Sequence, residues 1–234
     1  MLLSRYGRPA EGLERKSSAT DPVSDADRAA EEAIRQLLAT ERPEDGLLAE
    51  EGSRAEAASG RRWVVDPLDG TVNFLYGFPA WCVSVALQDE AGAAVGVVRD
   101  ALRDETFSAA RGGGAALNGE PMRVRQRDDL SRALVATGFG YERERRRMQA
   151  DVIRRVLPEV RDVRRAGAAA LDLSWVAAGR LDGYWERGLS AWDWAAGRLL
   201  VEEAGGAVAE LAGEPPGLAA ANPGLLDGLV ELVT

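Results

Sequence analysis

The sequence predicts a mixed α and β protein, in which an α+β first half packs against a second half where helices and strands alternate. Three observations carry that expectation. An amphipathic repeat near the start reads as a helix, short apolar runs bounded by turn residues follow it, and helical repeats return in the second half. With 234 residues, 46% of them hydrophobic, the chain can bury a substantial core. The expected organisation is a single unit over 1–234, with halves of about 1–130 and 131–234.

Between Asp25 and Ala39, apolar or small residues at Ala26, Ala29, Ala30, Ala33, Ile34, Leu37 and Leu38 alternate with charges as one helix face requires. Arg62 to Val65 reads as a buried strand stopping at Asp66-Pro67, because proline offers no N–H to a ladder. Trp81 to Leu87, Gly92 to Val98 and Thr106 to Ala110 read as further strands, with turns at Gly112-Gly113-Gly114 and Asn118-Gly119. Leu134 to Thr137 is expected to be a strand, after which Met148, Val152, Val156 and Val160 recur at helical spacing. Ala168 to Ala178 and Trp194 to Ala204 predict two more helices, the second closed by Gly205-Gly206.

Composition narrows the chemistry. The chain has no histidine and one cysteine, Cys82, which excludes histidine-dependent triads, histidine metal sites, thiolate clusters and an intramolecular disulfide. A formal net charge of -9 argues against a surface dedicated to nucleic acid or anionic membrane. No stretch reads as a signal peptide or approaches the ~20 apolar residues of a membrane span, so a soluble cytoplasmic protein is expected. Cys82 reads as a small buried hydrophobe, and Trp175, Trp185, Trp192 and Trp194 as packing aromatics.

The candidate chemistry is acidic. In Trp63-Val64-Val65-Asp66-Pro67-Leu68-Asp69-Gly70-Thr71-Val72-Asn73-Phe74, a strand passes through a proline turn into a helix start, so the Asp66 and Asp69 carboxylates converge on one crevice. Gly70 and Thr71 would present free backbone N–H groups to a phosphate there. Such oxygen ligands suit magnesium, a hard cation. Asp-Pro and Asp-Gly are also ordinary turn formers, and Asp69 could be an N-cap. Glu50-Glu51 follows a short apolar run and Asp193 sits where a helix opens; a solvated loop and a simple cap are the alternatives.

Asp66-Pro67-Leu68-Asp69-Gly70-Thr71 with Asn73-Phe74, and Trp192-Asp193 leading to Ala195-Ala196-Gly197 and Glu203-Ala204-Gly205-Gly206, resemble the two signature motifs of the inositol monophosphatase family. Lys16 to Asp27, Glu50-Glu51, Arg165 to Leu173 and Ala178 to Glu186 continue the resemblance in order along nearly the whole chain. It implies a layered αβαβα fold and a magnesium-dependent, lithium-sensitive phosphatase, closest to the bacterial inositol-1-monophosphatases, that works as a homodimer with two to three magnesium ions per site. Glu50, Asp66 and the Leu68 carbonyl would hold one ion, and Asp66, Asp69 and Asp193 a second, with a third near Glu50. Thr71, held by Asp27, would orient the attacking water. The amides of Gly70 and Thr71 would bind phosphate, and Lys16 would lie near the metals. Asp69, Gly167 to Ala169 and Glu186 would face the substrate, with Glu186 accepting from its hydroxyls.

Without the resemblance, Asp27 reads as a surface residue, Lys16 as a solvated lysine and Glu186 as a strand-edge charge. Ala168 and Ala191 depart from the family's usual residues at positions that bear on substrate preference rather than on a proposed metal ligand. The implied reaction is hydrolysis of a small phosphate monoester, inositol 1-phosphate first. Histidinol phosphate, fructose 1,6-bisphosphate and nucleotide 3'-phosphates are the alternatives within the family. From another class comes a non-enzymatic dimeric module of an RNA or transcription complex, presenting Arg143, Arg145, Arg146, Arg147, Arg154, Arg155, Arg161, Arg164 and Arg165. Interleaved acids favour a solvated face for that stretch, so nucleic acid is not the expected partner.

Overall fold

In the computed structural model, residues 1–8 and 24–234 are described, together with the backbone of β1 (Glu14–Arg15) and β2 (Pro22–Val23), an antiparallel pair. The first half contains α1 (Asp25–Glu41), β3 (Gly46–Ala49), β4 (Arg54–Ala55), β5 (Arg62–Asp69), α2 (Thr71–Tyr76), β6 (Cys82–Asp89), β7 (Gly92–Asp100), β8 (Glu105–Ala110), β9 (Gly114–Leu117) and β10 (Glu120–Pro121). Its strands form an eight-stranded sheet in the order β10-β9-β8-β7-β6-β5-β3-β4, antiparallel except where β3 runs parallel to β5.

The second half contains β11 (Leu134–Thr137), α3 (Arg143–Val156), β12 (Asp162–Arg164), α4 (Ala169–Ala177), β13 (Gly183–Arg187), α5 (Ala191–Glu203), β14 (Ala207–Leu211), β15 (Gly217–Ala221) and α6 (Pro223–Val233). Here the order is β12-β11-β13-β15-β14, with β11 parallel to both its neighbours.

Burial explains the layering. The Ile34 and Leu38 face of α1 covers Leu47, Ala49 and Val65 on the first sheet. On the opposite face, α4 and α5 fill the space between the two sheets, where Leu171, Leu173, Leu199 and Leu200 meet Val98, Phe107 and Tyr184. Beyond the second sheet, Val156 of α3 and Leu225, Leu229 and Val233 of α6 pack on Trp185 and Ala219. Helix, sheet, helix, sheet, helix is the αβαβα order. Each fully buried Leu in these interfaces contributes on the order of 2 kcal/mol, so the two sheets are joined mainly by α4 and α5.

The structure departs from the sequence expectations at definite places. β5 does not stop at Asp66-Pro67; it continues to Asp69 through a bulge in which Asp66 pairs with Ser84 and Asp69 with Cys82. The bulge takes the proline out of the regular ladder. α3 ends at Val156, and Val160, though buried, lies beyond it after Pro158. α5 begins at Ala191 rather than Trp194, with Ser190 as N-cap. β15 and α6 were not anticipated. Gly-Leu-Ala-Ala-Ala lacks the β-branched residues of a typical strand, while α6 carries a start signal in Asn222, which accepts from Gly224 N at 2.9 Å, and Pro223.

Candidate active site

The ends of β3 and β5 and the N-termini of α2, α4 and α5 meet at one cavity of about 370 Å³. Glu50, Asp66, Leu68, Asp69, Gly70, Thr71, Gly167, Ala169, Glu186 and Asp193 all line it. Asp27 stands behind it, and Lys16 lies outside the described residues.

Each acidic side chain is positioned by a local device. Glu50 N donates to Val65 O at 3.1 Å, extending the parallel pairing so that Glu50 emerges beside Asp66. The Asp66 carboxylate accepts from Leu68 N at 2.9 Å, closing a tight turn within the bulge. Asp69 is not the N-cap of α2; that position is Gly70, at φ 90. A side chain there would strain the backbone by about 1–2 kcal/mol and put a Cβ 2.9 Å from Ala80 O. The Asp69 carboxylate instead accepts from Ala169 N at 3.2 Å and Ala170 N at 2.7 Å. It thereby caps α4, whose own N-cap, Ala168, has no side chain able to do so. Asp193 accepts from Ser190 N at 2.6 Å as the third residue of a capping box on α5.

Asp27 is a second capping-box residue, on α1, and is fully buried rather than on the surface. One oxygen accepts from Ser24 N and Ser24 Oγ, and the other lies 2.9 Å from Thr71 Oγ1. The Thr71 hydroxyl is also 3.1 Å from Leu68 O. Asn73 Nδ2 donates to Ala80 O at 2.6 Å and Ala166 O at 2.8 Å, clamping the first half to the loop before α4.

The electrostatics are those of crowded carboxylates. Burial, followed by the charges of Glu50, Asp69 and Asp193, pushes Asp66 well above the usual carboxylate range. Asp193 is pushed up in the same sense by burial, then by Asp69 and Glu50. Asp69 reaches only about 6, because the Ala170 and Ala169 amides and the Cys82 thiol oppose the effect of burial. Cys82 is thus more than filler, since its Sγ lies 3.6 Å from Asp69 Oδ2. The set is all-oxygen, and its charges repel one another in a buried place, which fits a hard divalent cation. Among the described residues no three acidic, histidine or cysteine side chains are already drawn into one closed ligand group. Cation binding would draw these side chains closer together, since a carboxylate oxygen that accepts one amide bond keeps a lone pair for an ion.

Glu186 stands on β13, between β11 and β15, and is not a strand-edge charge. Its exposed area is intermediate, yet it lies deep in the concave wall, and burial raises its pKa to about 7 against the opposing Tyr184 hydroxyl and Arg165. Tyr184 OH donates to Glu186 Oε2 at 2.6 Å. Gly138 leaves the space for this carboxylate, since a Cβ there would fall 1.9 Å from Oε2.

Sequence reasoning gave no role in the site to Arg145, Arg165 or Asp172. Arg145 and Arg165 line the cavity rather than belonging wholly to a solvated face. Asp172 on α4 is 1% exposed, has one oxygen without a hydrogen-bond partner, and is pushed well up by burial and then by Asp69 and Glu186. Trp175, Trp185, Trp192 and Trp194 pack against the cores as expected, and Trp192 also lines the cavity. Among the described residues no helix is long and apolar enough to cross a membrane.

Comparison with known proteins gives a consistent picture. The model of the Inositol monophosphatase family matches residues 1–231. The chain is 44% identical over 241 residues to the inositol-1-monophosphatase of Mycobacterium bovis, covering 97% of this chain and 83% of that protein. It is 45% identical over 199 residues to the Nus factor SuhB of Xylella fastidiosa, covering 85% and 72%. Among solved structures, the extragenic suppressor protein suhB of Bartonella henselae superposes with a TM-score of 0.94 at 39% identity, covering 100% of this chain and 92% of that one.

Proposed function

The chain belongs to the inositol monophosphatase family, and from that premise we propose that it hydrolyses small phosphate monoesters with magnesium, inositol 1-phosphate foremost. One observation supports this reading above the rest: Glu50, Asp66, Asp69 and Asp193 reach a single cavity from three separate segments of the chain, beside the Thr71–Asp27 pair. Glu50, Asp66, the Leu68 carbonyl, Asp69 and Asp193 would hold the magnesium ions. When bound, these would neutralise phosphate oxygens and make water acidic enough to attack at neutral pH.

The chain's own residues supply the rest of the chemistry. With its proton directed at Asp27, the Thr71 hydroxyl keeps a lone pair for a hydrogen bond from the attacking water, aligning that oxygen with phosphorus. The Gly70 and Thr71 amides hold the phosphate from the turn that the glycine makes possible. In its charged form Glu186 accepts from substrate hydroxyls on the opposite wall.

A phosphate-release screen over inositol 1-phosphate, histidinol phosphate, fructose 1,6-bisphosphate and a nucleotide 3'-phosphate tests the reading. The expected result is release with magnesium, fastest among the monophosphates for the inositol ester. No release from any ester would overturn the phosphatase reading, and a preference for histidinol phosphate would overturn the inositol assignment alone.

A second reading is favoured by the relative named Nus factor SuhB, namely a module of a transcription complex. Within α3, however, Arg147 pairs with Glu144 and Arg154 with Asp151, so part of the basic charge is spent inside the helix. Salt-sensitive binding of RNA by the purified protein would support that second reading.

A further inference from the structure

Between the acidic floor of the cavity and the arginines at its mouth, Arg145 and Arg165, the wall includes Glu186 of β13. A glutamate selects poorly unless something fixes it, because its torsions let the carboxylate turn and each oxygen can accept from several directions. Here Tyr184 supplies the fixing. It stands two residues earlier on the same strand, so both side chains leave one face of the sheet, while Trp185 between them packs on the other.

Tyr184 is itself held fast. Its side chain is fully buried in the core between the two sheets, on a strand paired with β11 on one side and β15 on the other. Its hydroxyl donates to Glu186 Oε2 at 2.6 Å, and among the described residues the carboxylate has no other hydrogen bond and no ion pair. The backbone of Gly138 lies against the same carboxylate, where a Cβ would fall 1.9 Å from Oε2 and 2.2 Å from Oε1. Glu186 is thus confined by a backbone and tied at one oxygen by a phenol, which leaves Oε1 to accept from a ligand. The tie also favours the charged form: with Arg165 it opposes burial and the Asp69 charge, which together raise Glu186 to about 7.

We propose that Tyr184 is a positioning residue for substrate selection: by holding Oε2 of Glu186 it commits Oε1 to the hydroxyls of a polyol phosphate, and so sets the preference for such esters. This inference rests on the phosphatase reading above and deepens its account of selection. The tyrosine touches no substrate. Its loss should weaken the grip on the hydroxyl-bearing part of the ester and leave the chemistry at phosphorus intact.

Tyr184→Phe tests this, because the phenyl ring fills the same space and only the donor is lost. Its kcat/KM for inositol 1-phosphate should fall about five- to tenfold, mainly through KM, the value of one hydrogen bond to a charged group. Efficiency with glycerol 2-phosphate, too short to reach β13, should change less than about twofold. The loss on the inositol ester should shrink as pH rises from about 7 to about 9, since alkali restores the charge that the hydroxyl helped to keep. In a Glu186→Gln background the same substitution should cost less than about twofold, because the tyrosine acts through that carboxylate. Equal losses on both esters, no loss on either, or a full loss in the Glu186→Gln background would overturn the proposal while leaving the phosphatase standing. Absence of hydrolysis of both esters by the wild type would instead remove the reading on which it rests. Should Tyr184→Phe fail to fold, the hydroxyl proton can be followed by NMR in the wild type, where it should give a slowly exchanging downfield resonance. That resonance should move upfield in Glu186→Gln, whose neutral amide is the weaker acceptor, and a resonance that stays in place would overturn the proposal.

Discussion

At the floor of the cavity Asp69 and Asp193 are fastened by backbone N–H groups at the N-termini of α4 and α5, whereas at its mouth Arg145 is held by packing alone and Arg165 by one long hydrogen bond to Phe139 O and its place over the Phe139 ring. Asp27, behind the floor, is fastened in the same manner at the start of α1. A carboxylate tied to a helix start cannot swing away, and its orientation is fixed before any ligand arrives. A guanidinium held only by the shape of its slot keeps its donors for whatever enters. The floor is therefore suited to chemistry, which needs fixed charges, and the mouth to selection, which needs available ones.

The largest effects should come from breaking the floor. Asp66→Asn and Asp193→Asn keep volume but remove a charge from the acidic set, and each should lower kcat/KM for inositol 1-phosphate by about 10²- to 10³-fold. Thermal melting should stay close to that of the wild type, because relieving carboxylate repulsion offsets a weakened cap. Near-native turnover in either variant at saturating magnesium would place the chemistry elsewhere.

Thr71→Ala sharpens the comparison one step back from the floor. It leaves the carboxylates in place but removes the hydroxyl that joins Asp27 to the water, and a loss of about 10- to 100-fold in kcat is expected with KM nearly constant. A change confined to KM would mean that Thr71 holds substrate and does not orient water.

Glu186→Gln probes the middle of the cavity, with a smaller effect. Efficiency with inositol 1-phosphate should fall about tenfold more than with glycerol 2-phosphate, which is too short to reach β13. The same variant has a pH signature. Glu186 is raised from 4.5 to about 7 in the fold, so the folded state binds its proton more tightly than the unfolded chain does. Its contribution to stability is present in full below about 4.5 and is lost as pH rises through about 7. The stability of Glu186→Gln relative to wild type should therefore increase by a few degrees in Tm between pH 4.5 and 8, the upper value being about one unit past titration. A constant difference would mean that the carboxyl is solvated.

The floor was legible in the sequence because its residues sit at turns that announce themselves: Asp66-Pro67 and Asp69-Gly70 at a strand end, and Asp193 where a helix begins. The strand's continuation through Pro67 was not legible, since a bulge is set by the partner strand and not by the residues that bulge. Nor could Asp69 be seen to cap α4, a contact spanning a hundred residues of chain. Asp27 reads as one more charge on a helix, and only the family motif points to Thr71.

The mouth was illegible for a different reason. Arg143, Arg145, Arg146 and Arg147 look alike in sequence, and all but Arg145 are exposed in the fold. What singles out Arg145 is the open backbone at Gly140 and Gly188, which only the packing of α3 against the second sheet brings together. Composition likewise gave no sign of Asp172, which α4 carries into the core.

The central claim is that the floor is a divalent-cation site, and calorimetric titration of magnesium into chelator-stripped protein tests it directly. The wild type should bind with release of protons, because Asp66 and Asp193 are pushed well up and Asp69 to about 6 before the ion arrives. Binding should weaken as pH falls below about 6 and should be lost or reduced at least tenfold in Asp66→Asn and Asp193→Asn. Magnesium binding that is equal in wild type and both variants, or absent from the wild type at neutral pH, would contradict the account.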